Sequence, residues 1–205
     1  DLTTVVGSNL NSTLTTSDTV GSEALTMTGS GSVASQNFSG SAQSITLGTL
    51  SLGNGTNGGL ASNYTLSGSS LTINKRPLDI DGSKIYDGNT NAADSILTAS
   101  NFATDSTTGN TETLGLSGTA TISSKDAGSR TIANAASTLT LSNGSNGGLA
   151  NNYTFTGGTH NFTVNTRPLD VSGTRQYDGT TVASSSDLPT LSNFVGSETV
   201  TISGN

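Results

Sequence analysis

The chain has 205 residues with 14 acidic and 7 basic side chains, a net charge of −7, 26 Gly, no Cys and no Trp. Its cations are scattered, which excludes a nucleic-acid surface that neutralises phosphates with clustered Lys and Arg, and no run of 18 apolar residues offers a membrane-spanning helix, so no membrane insertion is expected. Only 10% of residues are charged and 4% aromatic, with Ser, Thr, Asn and Gly in their place, a composition suited to strands and tight turns and too weakly charged for an ordinary disordered segment.

In chain order the first recurring block is VGSEALTMTGSG (Val20–Gly31), which returns as VGSETVTISGN (Val195–Asn205) and, diverged, as NTETLGLSGTA (Asn110–Ala120). NGTNGGLASNYTLSG (Asn54–Gly68) returns as NGSNGGLANNYTFTG (Asn143–Gly157), with 89 positions between Tyr64 and Tyr153. RPLDIDGSKIYDG (Arg76–Gly88) returns as RPLDVSGTRQYDG (Arg167–Gly179), 91 positions further on. The two-residue difference falls in a hairpin, SGSSLTINK against TGGTHNFTVNT, where indels are tolerated. DLTTV at the start aligns with DGTTV (Asp178–Val182), so Asp1 stands where the aspartate of YDG stands elsewhere. These offsets predict a first repeat lacking its opening strands (1–75), a complete repeat (76–166) and the start of a third (167–205). The chain is expected to be an excerpt of a longer protein.

Within the complete repeat, alternating apolar and small polar residues predict strands near 78–81, 84–86, 95–98, 112–123, 130–133, 137–142, 152–157 and 160–165. A turn or two of helix is the only helical expectation, around Asn91–Ser100. The resulting fold class is all-β: tandem immunoglobulin-like β-sandwich repeats of about 90 residues, the size of one small sandwich. A β-grasp with its helix reduced is the other small fold the pattern allows. The junctions NKRPLD and NTRPLD are short, which predicts an elongated, stiff rod.

A unit that opens RPLD, continues through (K/R)xYDG, GSE and KDAG (Lys125–Gly128), and closes with NYT (Asn63–Thr65, Asn152–Thr154) and a hairpin resembles the YDG repeat of large bacterial surface adhesins, and is similar to the related MBG repeat. Its motif residues here are Arg76, Pro77, Tyr86, Asp87 and Gly88, then Arg167, Pro168, Tyr177, Asp178 and Gly179, with Tyr64 and Tyr153. The first repeat departs from the pattern, with QNFSG (Gln36–Gly40) where KDAG would fall. The resemblance implies stalk repeats of a very large exported protein of the two-partner-secretion, filamentous-haemagglutinin-like kind, placed outside the cell or on its surface. It implies no catalytic residues.

The residues themselves offer no enzyme chemistry. The one histidine, His160, sits in the hairpin GGTHNF and reads as an exposed turn residue, and no serine lies in a nucleophile motif. Asp79, Asp81 and Asp87, with Asp170 and Asp178, are the candidate ligands for calcium at repeat junctions. Asp81 becomes Ser172 in the next copy and no DxDxDG loop is present, so aspartates that cap their own turns are the simpler reading. No other cofactor is expected. The four tyrosines read as core anchors whose hydroxyls find backbone partners, with stacking on sugars as the alternative. Lys125 in SSKDAGS reads as an exposed loop residue rather than one end of a buried isopeptide bond. Asn-x-Ser/Thr acceptors stand at Asn11, Asn37, Asn54, Asn63, Asn143, Asn152 and Asn161.

Three functions follow. The first is a structural spacer that carries an adhesive tip into a biofilm matrix, its partners being neighbouring repeats of the same or an identical chain. The second is a weak, multivalent module for exopolysaccharide or host glycan. The third is a filament subunit that exchanges strands between chains.

Overall fold

The computed structural model describes residues 4–6, 19–67, 70–105, 108–133 and 135–203; the expectations placed on Asp1, Asn11 and Asn205 fall outside them. In chain order the strands are β1 (Thr4–Val6), β2 (Leu25–Thr28), β3 (Ser30–Ser32), β4 (Ala42–Ser44), β5 (Ser51–Asn54), β6 (Ser70–Thr72), β7 (Arg76–Pro77), β8 (Asp79–Ile85) and β9 (Asn91–Ala93). They continue as β10 (Leu97–Ser100), β11 (Leu114–Thr121), β12 (Gly128–Thr131), β13 (Leu139–Asn143), β14 (Tyr153–Thr154), β15 (His160–Asn165), β16 (Asp170–Ser172) and β17 (Thr190–Ser192). Helical backbone among the described residues is confined to single turns at Ala61–Asn63, Asp94–Ile96, Ala135–Thr138 and Ala150–Asn152. The protein is all-β.

Two compact units are assembled from separated stretches of chain. The first takes the described residues of Asp1–Arg76 with Phe102–Leu114 and Ser142–Thr154. In it β1 pairs antiparallel with β3, β2 with β5, and β4 with β6. Its core is small: Met27, Val33, Ile45 and Leu50 are buried, with leucines 47, 52, 66 and 71 packed around them. Asn152 belongs here because its carboxamide is held by the 37–38 backbone and side chain: Phe38 N–H donates to Asn152 Oδ1 at 3.0 Å, and Asn152 Nδ2 donates to Asn37 Oδ1 at 2.9 Å.

The second unit takes Pro77–Asn101, Gly115–Leu141 and Phe155–Asn205. A four-stranded sheet in the order β10-β8-β15-β12 and a three-stranded sheet in the order β13-β11-β9 bury their apolar faces in one core. Ile80, Phe162 and Val164 enter it from the first sheet, Ala92, Ala120 and Leu139 from the second, with Ile122 and Ile132, which pair in an antiparallel bridge, and Phe155, which follows β14. β15, reading HNFTVN, shows why: every second side chain points inward, so Phe162 and Val164 are buried while Asn161, Thr163 and Asn165 face out. Leu78, Ile80, Ile122, Phe162 and Val164 are fully buried, each contributing about 1.5–3 kcal/mol. β8 and β15 run parallel, His160 opposite Ile80 through Asn165 opposite Ile85, and everything between them serves as the crossover that a parallel pair needs.

The described strands follow the predicted ones closely, with informative departures. The segments expected at 78–81 and 84–86 are one strand, β8, because Gly82 does not break it. A side chain there would place its Cβ 2.6 Å from Ile96 O and 2.8 Å from the Phe162 ring, so the glycine is required by close packing. The helix expected around 91–100 shrinks to one turn between β9 and β10. His160 is not an exposed turn residue. It opens β15, is half-buried, and meets Phe155 edge-on at 6.2 Å, because the hairpin turn closes two residues earlier, at Thr156–Gly158.

Candidate functional site: the YDG turn and the tyrosine sockets

The turn after β8 is folded around one cation. Asp87 Oδ1 accepts the Asn89 N–H at 3.1 Å, an aspartate capping its own turn. Lys84, two residues before the tyrosine and 8% exposed at its side chain, pairs with the same carboxylate at 2.9 Å. Its Nζ also donates to Asn89 O at 2.9 Å and Asn91 O at 2.8 Å. Partial burial pushes the Asp87 carboxyl up, but Lys84 and the Asn89 amide outweigh it and hold it below the usual range. Gly88 has φ +78, and a Cβ there would meet Val195 Cγ1 at 2.7 Å, so glycine is required both by the turn and by its neighbour.

The same construction stands 91 positions later. Asp178 Oδ1 accepts the Thr180 N–H at 2.9 Å, Arg175 takes the place of Lys84 beside Asp178 at 3.4 Å, and its guanidinium donates to Thr180 O and Val182 O. Upstream, the RPL stretches are fixed alike. Asn101, at φ 66, donates to Pro77 O at 2.9 Å, and Asn193, at φ 72, donates to Pro168 O at 2.7 Å.

A second recurring geometry joins the tyrosine of NYT to a glutamate 41 positions earlier. Tyr153 Oη donates to Glu112 Oε2 at 2.6 Å and accepts the Ala103 N–H at 3.0 Å. Its ring meets Phe102 edge-on at 5.9 Å. Burial, then the Glu112 carboxylate, pushes the Tyr153 phenol up to about 12. In the matching stretch 89 positions earlier, Tyr64 Oη donates to Glu23 Oε2 at 2.5 Å and accepts the Val20 N–H at 2.9 Å. There Thr19 stands where Phe102 stands, no aromatic ring meets the tyrosine among the described residues, and the pair is only half-buried. The bond to Glu23 pushes the Tyr64 phenol up as well.

Residues 74–161 form a YDG domain. No curated protein and no solved structure matches the chain. Within the YDG domain, Tyr86 packs against the core and donates to Glu198 Oε1, a bond that, ahead of burial, pushes its phenol up. Tyr177, its counterpart, is 97% exposed and anchors no core. The tyrosines therefore divide: Tyr153 is buried, Tyr64 and Tyr86 are half-buried, and Tyr177 faces solvent.

The aspartates proposed for calcium are not gathered. Asp79 Oδ1 accepts the Thr159 N–H at 2.7 Å, Asp81 is exposed on β8, and Asp87 is already neutralised by Lys84. Among the described residues no group of three or more metal-ligating side chains comes together. The cation that organises the turn is Lys84 itself. Lys125 is exposed in the 124–127 loop. Asn54 and Asn143 each accept a backbone N–H, from Ala61 and Ala150, at 2.9 Å.

Sequence reasoning missed the glutamates and Lys84 as site residues. The signal was present: a glutamate stands 41 positions before the tyrosine of NYT in both copies, and a basic residue precedes each YDG tyrosine by two.

Beside Glu198 lies a cavity of about 340 Å³ lined by Tyr86, Asp126, Ala127, Thr166, Arg167, Leu169, Phe194, Val195, Glu198 and Val200.

Proposed function

We propose that this chain is a structural segment of a large extracellular adhesin. In this reading β-sandwich repeats at 1–75, 76–166 and 167–205 stack in tandem as a stiff spacer that carries a distal binding region away from the cell. The observation that supports it is where the polar groups are used. Lys84, Asp87, Glu112, Tyr153, Arg175 and Asp178 all bond to their own turns and strands, and two of these constructions recur along the chain at nearly constant offset. A chain that uses its scarce charges to rebuild the same joints is organised for length and mechanical order. The YDG domain at 74–161 is consistent with this role.

The test is the mass and shape of the native particle, from a denaturing gel beside negative-stain microscopy. A covalent chain far heavier than 20.4 kDa, seen as a thin rod, supports the spacer. A chain of that mass within a long filament sinks it in favour of assembly between separate chains.

A further inference from the structure

The compact units do not coincide with the copies of the sequence repeat. Of the copy at 76–166, Phe102–Leu114 and Ser142–Thr154 belong to the first unit, together with the described residues of Asp1–Arg76. The rest of that copy, from Pro77 on, belongs to the second unit with 167–205. The two displaced segments form one lobe. The Thr113 N–H donates to Ser145 O at 3.2 Å, the Ser145 N–H to Thr113 Oγ1 at 2.9 Å, and Asn146 Nδ2 to Thr111 O at 2.9 Å. Gly144 and Gly148 let the backbones meet, since a Cβ at either would lie 2.0 or 2.1 Å from Thr113 O. The Tyr153–Glu112 bond closes the lobe.

Asn152 fastens this lobe to the preceding copy. Its Oδ1 accepts the Phe38 N–H at 3.0 Å and its Nδ2 donates to Asn37 Oδ1 at 2.9 Å, both bonds part-buried. A carboxamide that accepts from and donates to one short stretch fixes the orientation of both partners. The Phe38 ring also carries Lys75 Nζ at 5.0 Å. The second unit again joins two copies. Tyr86 donates to Glu198 Oε1, and Gly88 lies so close to Val195 that a Cβ would meet Cγ1 at 2.7 Å. In both units the glutamate stretch of one copy, with Glu112 or Glu198, is grouped with the copy before it.

We propose that segments 102–114 and 142–154 are the surface by which a copy docks onto the copy before it, so that the cooperative folding unit consists of parts of two successive copies. Proteins open in cooperative units whose members are those that pack together. Here those members are drawn from both sides of the sequence boundary at 75–76. The inference goes beyond the spacer reading and stands without it, since it rests only on the recurrence in the sequence and on what each unit contains.

The experiment is native-state hydrogen exchange, read by NMR in low urea, on the full chain and on its Tyr153→Phe and Phe162→Ala variants. Tyr153→Phe is expected to speed exchange at the amides of β2 and β5, in the preceding copy, by roughly ten- to a hundredfold, the loss of a hydrogen bond to a charged group. It leaves β15 unchanged, although β15 is the nearer in sequence. Phe162→Ala does the reverse, speeding β8 and β15 and sparing β2 and β5. If Tyr153→Phe unfolds the first unit outright, its amides lose protection while β8 and β15 keep theirs, which supports the proposal equally. Asn152→Ala, a milder change, speeds the Phe38 amide, which loses its acceptor. After Tyr153→Phe, faster exchange in β15 with β2 and β5 unchanged makes the sequence repeat the folding unit and overturns the proposal. Equal acceleration throughout, or none, overturns it as well, as does an unchanged Phe38 amide in Asn152→Ala. None of these outcomes bears on the mass and shape of the native particle, so the two readings fail independently.

Discussion

Replacing Tyr153 with Phe removes one oxygen from the most enclosed polar contact described in the first unit. Tyr153 and Glu112 are 3% and 7% exposed, so water does not replace the lost partner. The change deletes a 2.6 Å bond to a carboxylate and leaves the Ala103 N–H without its acceptor. A hydrogen bond to a charged group is worth about 1.5–3 kcal/mol, and the orphaned, part-buried Ala103 donor adds about 1 kcal/mol. A total near 3 kcal/mol lowers the midpoint of a domain this size by roughly 12–24 °C. The control is built into the chain. Tyr64→Phe removes the same oxygen from the same motif, but Val20 is 73% exposed and Glu23 half-buried, so solvent takes over and only a small fraction of that loss is expected. Urea and thermal unfolding of both variants, followed by circular dichroism, give the comparison. Equal losses, or a loss below about 1 kcal/mol for Tyr153→Phe, refute the argument that burial sets the worth of the pair.

The same pair has a pH signature. With the Tyr153 phenol raised to about 12, the neutral form contributes stability that is complete below pH 10, the ordinary tyrosine value, and is lost as pH rises toward 12; the stability gap between the native chain and Tyr153→Phe should therefore close over that window in thermal melts. Lys84→Met removes the cation beside Asp87 and leaves two backbone oxygens without their Lys84 donor, and is expected to cost about 1–3 kcal/mol by urea unfolding, whereas Lys84→Arg should be tolerated, as Arg175 shows in the matching turn. Because the folded state holds Asp87 below its ordinary value, its contribution is present above about pH 4 and fades as pH falls; Lys84→Met should flatten that acid dependence. Phe162→Ala, emptying the centre of the second unit's core, should cost about 3–5 kcal/mol, measured in the same way. Added calcium or a chelator should leave the midpoint unchanged, and a shift of several degrees would return Asp79, Asp81 and Asp87 to consideration as ligands.

Local rules made much of this molecule legible. Period-two alternation in HNFTVN and TLTLS marks strands because a pleated backbone alternates its side chains whatever the fold. The Asp-Gly of YDG marks a turn because an aspartate two residues before an amide caps it without help from elsewhere. The recurrence of NGxNGG and RPLD announced that whatever these segments build is built more than once. None of this requires knowing what lies across the core.

What the tertiary structure decided are the matters that depend on residues far apart in the chain. The parallel pairing of β8 with β15 is set by topology, and so is the meeting of Tyr153 with Glu112 across 41 positions. Tyr86 packs against the core of the second unit, while Tyr177, in the same RPL…YDG wording, is exposed, a difference that the shared wording does not carry. His160 reads as a turn residue by its neighbours and becomes a strand residue by its partner Ile80. Sequence determined which segments extend and which turn, because those preferences act within a few residues; structure decided which side chains are buried and paired, because that depends on what the rest of the chain brings to meet them.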